Sequence, residues 1–231
     1  MTYDFITGMS LEYYDIIGKH MIESWLKHWP KECKLKIYAE DNLPILDDRI
    51  EVIDLNNIDP KYTEFQNASF KLGRRSKKFA KKAWPIMLNL ESNKGRLVWI
   101  DADVVTEDTI TLEYLDSLLE KDDFSCHLGV PQGKYYSVET GFFIINRYND
   151  FKDQFLKNYQ YIYHNRDFSN MHKPFDGDAF GKVIRDLRED CKFKYTELSD
   201  NCNSSLSPFN YIFEGKMRHY KAKRKYGIID Q

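Results

Sequence analysis

The stretch RLVWIDADVV, residues 96–105, constrains this chain most. From Arg96 to Ile100 the run is almost wholly apolar, which predicts a strand covered on both faces of a mostly parallel sheet. Asp101 and Asp103 follow where that strand leaves the sheet. Two carboxylates so close repel each other, and a cation removes the cost, either a metal ion or neighbouring Lys and Arg. In open α/β sheets ligands bind at the carboxyl ends of strands, so the pair stands where chemistry is expected.

The rest of the chain alternates in the same way. YDFIT (3–7) reads as a strand, and Ser10 caps a helix whose core positions are Tyr14, Ile17, Met21 and Trp25, ending before Pro30. LKIYA (35–39) and IEVIDL (50–55) are strands around a turn-rich stretch, and a polar helical region follows Pro60. A helix is expected over 76–90. FSCHL (124–128) and GFFIIN (141–146) add strands with a long loop between them, and helices are expected over 151–165 and 178–187. The basic segment RHYKAKRKYGII reads as a closing loop. Such alternation predicts an α/β sandwich of nucleotide-binding type.

With 231 residues, 42% of them hydrophobic, one domain with a full core is expected. A net charge of -2 argues against wholesale polyanion binding, so nucleic acid is expected at most as an acceptor. No run approaches the ~20 apolar residues of a membrane span. The opening MTYDFITGMS has no apolar signal region, and Cys33, Cys126, Cys191 and Cys202 are scattered without a CxxC pair. Reduced thiols and a cytoplasmic location are the expectation.

For Asp101 and Asp103 the metal reading is that hard carboxylate oxygens hold Mg²⁺ or Mn²⁺, which neutralises a diphosphate. The bland alternative is that Asp101 caps a turn and Asp103 is solvated. DADVV also fits the nucleophile motif of haloacid-dehalogenase-type phosphatases. That class places the motif near the start of its fold and wants a later strand ending in GDxxxD. GDAFGK (177–182) lacks the final acid.

A resemblance extends further along the chain. The opening YDFITGMSLEYYDIIGKHMIESWLKHWP, then KLKIYAED, KFAKKAWPI (78–86), WIDADVVT (99–106), VETGFFIIN (138–146), FDGDAF (175–180) and HYKAKRKYG (219–227) resemble, in order, segments of bacterial and phage glycosyltransferases related to family 8. The resemblance implies a GT-A type, Rossmann-like mixed sheet flanked by helices in a single domain. Residues to about 105 would form a nucleotide-binding half and the remainder an acceptor half with a basic C-terminal loop. It implies transfer of a sugar, hexosyltransferase-like, from a nucleotide diphosphate donor, UDP above all, to the hydroxyl of a glycan or other acceptor.

In that family the second Asp of DxD binds Mn²⁺ and the first contacts ribose and often the metal; those positions are Asp103 and Asp101 here. A late His completes the metal site, matched by His219. Lys225 keeps the family's spacing, whereas Ala222 stands where the family has glycine, and Lys221, Arg224 and Lys225 match its basic tail. Imidazole with two carboxylates suits Mn²⁺ better than Mg²⁺. Cations aimed at the diphosphate act as charge grows on the leaving group. Taken alone, His219 is also compatible with a surface histidine.

The cluster KLGRRSKKFAKK (71–82) reads first as a solvated helix face, but Lys78 and Lys82, four apart, match cationic positions of the family and imply donor recognition. Phe79, Ala83 and Met87 are expected to pack on another side. Thr7, at a strand end, is a candidate to meet the base through its backbone, and Tyr13 to stack on it or simply to pack. Glu139, Thr140 and Gly141 border donor sugar and acceptor in the relatives, and Gly141 permits close approach. Asp176 and Asp178 resemble that family's DQD, with Gly177 replacing the glutamine. Either acid is then a candidate general base, or a helix N-cap. A nucleic-acid-binding protein using the basic stretches is the non-enzymatic alternative.

Overall fold

In the computed structural model, which describes residues 2–68, 73–132, 135–199 and 208–221, strand β1 (Tyr3–Met9) leads into a helix of three pieces. These are α1 (Leu11–Tyr13), a π-helical turn (Tyr14–Gly18) and α2 (Lys19–His28). Strands β2 (Leu35–Ala39) and β3 (Ile50–Asp54) precede α3 (Pro60–Asn67) and α4 (Gly73–Leu90). Then come β4 (Arg96–Ile100), β5 (Val104–Thr106), α5 (Leu112–Ser117), β6 (Ser125–Gln132) and β7 (Tyr135–Asn146). The remaining elements are α6 (Lys152–His164), α7 (Asp176–Leu187), β8 (Thr196–Glu197), α8 (Pro208–Ile212) and β9 (Met217–His219).

The main sheet has the order β3-β2-β1-β4-β7-β6-β8, and β5 and β9 form a separate ribbon. β1 to β4 run parallel, whereas β7 is antiparallel to both β4 and β6. The sheet is therefore mixed. Its order reverses at β1, with β2 on one side and β4 on the other, which opens a crevice at the carboxyl ends of β1 and β4.

Alternation along each strand divides the core into two layers. Leu97, Trp99, Phe143 and Ile145 face α3, α4, α6 and α7, where they meet Trp84, Met87, Tyr159 and Phe180. Val98, Ile100, Phe142 and Ile144 face the other side, against Met21, Trp25, Leu115 and Phe213. Burying a side chain of this size contributes roughly 1.5–3 kcal/mol, so a run apolar on both faces is stable only in the middle of such a sandwich.

Ser10 caps α1 as expected, its Oγ accepting the Tyr13 N–H at 3.2 Å. The π turn then shifts the helical phase: Ile17, Met21 and Trp25 are buried, but Tyr14 and Tyr13 are both only half-buried. Two expectations are corrected. The segment between FSCHL and GFFIIN is not a long loop: β6 and β7 extend through it as paired strands, with Leu128 opposite Glu139 and Gly129 opposite Val138. The closing basic segment begins in a strand, because Met217–His219 pair antiparallel with Val104–Thr106. Both were illegible because these strands are short or mix polar and apolar residues without a clean period of two.

Candidate metal and donor site

Asp101 follows β4 directly, and its N–H donates to the Gly141 carbonyl at 2.8 Å. Asp103 precedes β5, which is anchored to α2: the Thr106 N–H donates to Ser24 Oγ and Trp29 Nε1–H to Thr106 Oγ1. Because His219 stands opposite Val104 in the β5–β9 register, the ribbon swings its imidazole over the carboxylates. A half-buried clasp steadies it, with the His219 N–H donating to Asn210 Oδ1 at 2.8 Å and the Phe209 ring packing edge-on at 5.1 Å.

One ligand atom from each of Asp101, Asp103 and His219 lies within 4.8 Å of the others. The division of labour among the oxygens fits a cation. Asp101 Oδ1 is held by Trp99 Nε1–H at 2.7 Å and Lys82 Nζ at 2.6 Å, leaving Oδ2 at 3.8 Å from His219 Nε2. Asp103 Oδ2 accepts from the Tyr13 hydroxyl at 2.7 Å, and Oδ1 lies 3.0 Å from His219 Nε2. On the far side of the ring Nδ1 is buried without a hydrogen bond, 3.5 Å from Glu139 Oε1. A carboxylate at that nitrogen is the usual way to fix which nitrogen ligates. Two carboxylates and an imidazole suit Mn²⁺ or another divalent ion.

Lys82 is the hub between this cluster and the opposite wall. Its ammonium pairs with Asp101 and with Asp176 Oδ2 at 2.9 Å, and donates to the Thr140 carbonyl at 2.7 Å. Burial alone would depress its pKa, but the two carboxylates outweigh this and hold it above the usual lysine range. It is therefore a fixed positive charge, buried rather than on a solvated helix face.

The opposite wall comes from the half of β7 that runs past the end of β4. Ser137, Val138, Glu139 and Thr140 line a cleft of about 530 Å³, together with Tyr13, Lys78, Lys82, Asp101, Asp103, Asp176, Asp178, His219 and Lys221. Helix α7 packs so tightly on this strand that a Cβ at Gly177 would lie 2.2 Å from the Val138 carbonyl oxygen, and one at Gly181 2.3 Å from that of Tyr136. The glycine between the two acids is thus a packing requirement. The N-cap of α7 is Phe175, so neither acid is the cap; both sit in the first turn, where the helix dipole favours negative charge. Asp176 Oδ2 also accepts from the Thr140 hydroxyl at 2.5 Å. Asp178 is buried with Oδ1 unpartnered, and burial raises its carboxyl above the ordinary range.

Four expected site residues stand elsewhere or beyond description. Thr7 is fully buried inside β1, because the strand runs to Met9; Gly8, Met9 and Ser10 face the cleft instead. Gly141 touches the His219 ring rather than the cleft. Arg224 and Lys225, like the side chains of Arg74 and Arg75, lie outside the described residues. Phe79 is in the cleft wall, not the core. Sequence reasoning missed Glu40 and Lys81, which pair with each other and line the cleft. Glu40 follows the carboxyl end of β2, and the strand-end rule would have found it. Trp99 read only as core, and Asn210 carried no signal.

No protein-family model matches the sequence, and no curated protein matches it. The fold does match solved glycosyltransferases. The apo form of GlyE from Streptococcus pneumoniae TIGR4 superposes with a TM-score of 0.59 at 12% identity, over 96% of this chain and 55% of that one. The bifunctional glycosyltransferase WbbM gives 0.58 at 12% identity, over 96% and 46%. A glycosyltransferase involved in the glycosylation of the major capsid of PBCV-1 gives 0.54 at 12% identity, over 100% of both chains. The chain spans about half the length of the first two. It has the GT-A type glycosyltransferase fold, a mixed sheet flanked by helices. Among the described residues no helix is long and apolar enough to cross a membrane.

Proposed function

We propose that the protein is a metal-dependent glycosyltransferase, related to family 8, that transfers a sugar from a nucleotide diphosphate, UDP in the first instance, to an acceptor hydroxyl. The observation that carries this reading is the Asp101–Asp103–His219 cluster at the carboxyl end of β4, opening into a cleft of about 530 Å³ on the GT-A fold. A divalent ion held there, Mn²⁺ by the donor set, supplies positive charge to the diphosphate leaving group.

The chain's own residues account for the rest. Tyr13 lines the cleft beside Asp103 at the start of the helix after β1, where the nucleoside would lie, and its hydroxyl orients Asp103. Lys221, paired with Glu139, and Lys78 on α4 add cations for the phosphates. They act most strongly as the anomeric C–O bond breaks and charge develops. Lys82 holds Asp101 and Asp176 in a fixed relation, which pre-organises the donor-sugar pocket between β4 and α7. Asp176 is engaged by Lys82 and Thr140, so Asp178 is the better-placed carboxyl to receive the acceptor's proton.

The test is calorimetric titration of UDP, GDP and CDP, each with Mn²⁺ and with EDTA, on wild type, Asp103→Asn and Asp103→Ala. UDP binding should require Mn²⁺ and weaken about a hundredfold or more in the variants, since outer-shell changes alone cost ten- to a hundredfold. Equal UDP affinity in EDTA would remove the metal from the reading. Binding of no nucleotide would remove the donor.

A further inference from the structure

Trp99, the penultimate residue of β4, lines the cleft while only 2% exposed. Its indole stacks on Phe143, with centroids 6.5 Å apart and planes 12° apart, and Lys82 Nζ stands 5.0 Å from the ring centroid. Its Nε1–H reaches along the chain to Asp101 Oδ1 at 2.7 Å. An indole N–H can only donate, so the oxygen it meets is committed to accepting.

Lys82 brings a second donor to the same oxygen at 2.6 Å. The other hydrogens of its ammonium are taken by Asp176 Oδ2 at 2.9 Å and the Thr140 carbonyl at 2.7 Å. Three hydrogens with three acceptors keep the lysine in place. The Asp101 backbone is tied as well, its N–H to the Gly141 carbonyl and its carbonyl to the Val104 N–H at 3.0 Å. A carboxylate oxygen has two lone pairs, and both of those on Oδ1 have donors. Asp101 therefore keeps a single oxygen, Oδ2, for a cation.

That restriction weighs differently on different ions. Ca²⁺ collects about 6–8 oxygens and readily takes both from one carboxylate, whereas Mg²⁺ and Mn²⁺ hold to octahedral coordination. We propose that Trp99, with Lys82, is a specificity-determining lock, which withholds one oxygen of Asp101 and makes the site reject Ca²⁺ in favour of a smaller octahedral ion such as Mn²⁺. This rests on the metal-dependent reading above. Trp99 acts through Asp101, as a positioning residue. His219 also disfavours Ca²⁺, which prefers oxygen ligands, so the lock is read from a change in selectivity rather than from selectivity itself.

Mn²⁺ would be titrated into the protein with UDP by electron paramagnetic resonance, which counts the free ion, and Ca²⁺ by its displacement of Mn²⁺. Trp99→Phe keeps an aromatic ring in the core and removes the N–H. Its Mn²⁺ affinity should fall about tenfold while Ca²⁺ affinity holds or rises, so the Mn²⁺/Ca²⁺ ratio narrows by about that factor. Trp99→Leu, a second way to remove the N–H, should narrow it likewise. Phe143→Leu loosens the packing of the same indole but leaves its N–H, and should keep the wild-type ratio. An unchanged ratio in a folded Trp99 variant, or equal narrowing in Phe143→Leu, overturns the proposal, because a residue that merely fills the core weakens both ions together. In ¹⁵N-labelled wild type, the Trp99 indole N–H, assigned from its proximity to Phe143, should stay protected from solvent exchange when Mg²⁺ and UDP bind. Loss of that protection would mean that Asp101 lets go of the indole, and overturns the proposal on its own. Mn²⁺ binding without the selectivity change leaves the transferase reading intact, whereas a wild type that binds no divalent ion removes both.

Discussion

Gly141 and His219 are in contact through a space where a methyl group does not fit: a Cβ at position 141 would stand 2.6 Å from the imidazole Nδ1 and 3.1 Å from Phe209. The glycine that opens β7's apolar run is therefore the seat of the candidate metal-site histidine. Gly141→Ala is expected to push the ring off Asp101 and Asp103. Mn²⁺-dependent UDP affinity should fall about tenfold or more, whereas the far-ultraviolet spectrum stays unchanged. Unaltered Mn²⁺ affinity in a folded Gly141→Ala protein would mean the ring is not a ligand.

Glu139 stands at the other nitrogen of the same ring. Glu139→Gln keeps the shape but removes the charge that would fix the Nδ1–H form when a metal binds at Nε2. Mn²⁺ affinity should drop by about tenfold, measured by calorimetry with UDP held saturating. Because Glu139 also pairs with Lys221, Lys221→Met is the comparison: its UDP affinity should fall with the lost phosphate cation, while its Mn²⁺ affinity at saturating UDP should stay closer to wild type than that of Glu139→Gln.

Lys82→Met would retain the volume of the side chain and leave Asp101 and Asp176 facing each other without their cation. The cost of stranding buried carboxylates in this way is about 3 kcal/mol. For a chain of this size it should appear as a drop of roughly 6–12 °C in thermal midpoint. Saturating Mn²⁺ with UDP should recover part of the loss, since a second cation then faces Asp101.

At Gly181 the added Cβ of an alanine would meet the Tyr136 carbonyl oxygen at 2.3 Å and the Ser137 Cα at 2.7 Å, both rigid backbone atoms. Helix α7 must lift from β7, which overpacking costs put at about 1–3 kcal/mol. Because α7 carries Asp176 and Asp178, transfer activity should fall further than stability does. A Gly181→Ala protein as stable as wild type would show that the helix is held less closely.

His127 gives the protein an acid limit. It is fully buried, with Nδ1 on Ser125 Oγ and Nε2 on Tyr136 Oη, each at 3.1 Å. Burial, helped by Arg188, pushes its pKa down from 6.5 to about 3. The unfolded chain thus binds a proton below pH 6.5 that the folded chain refuses. This contribution to stability is complete above pH 6.5 and is lost as pH falls towards 3, by up to ~1.4 kcal/mol per pH unit. Denaturant melts at pH 7 and pH 5 should show this, and His127→Gln should flatten the difference between them.

Much of the fold was legible from local pattern. RLVWI and GFFIIN are buried on both faces, and such runs are stable only inside a two-sided sandwich; the amphipathic helices at 76–90 and 151–165 then had to cover it. Asp101 and Asp103 were legible for a related reason, since carboxylates at the end of so apolar a strand need a cation. Tyr13 read equally as a stacking ring or a packed one, and Lys82 entered through the family resemblance; nothing local told that Lys82 would be sealed between two acids.

What the sequence by itself determined was the set of elements and the place of the carboxylate pair, because periodicity and strand-end charge are properties of a few neighbouring residues. Tertiary structure alone decided how distant segments meet. His219 reaches Asp103 because a three-residue ribbon pairs Met217–His219 with Val104–Thr106. β7 continues beyond β4 as a cleft wall because β6 pairs with it. The glycines at 141, 177 and 181 take their meaning from an imidazole and two carbonyls on other elements. These are close contacts between residues far apart in the chain, set by packing, and no local pattern encodes them.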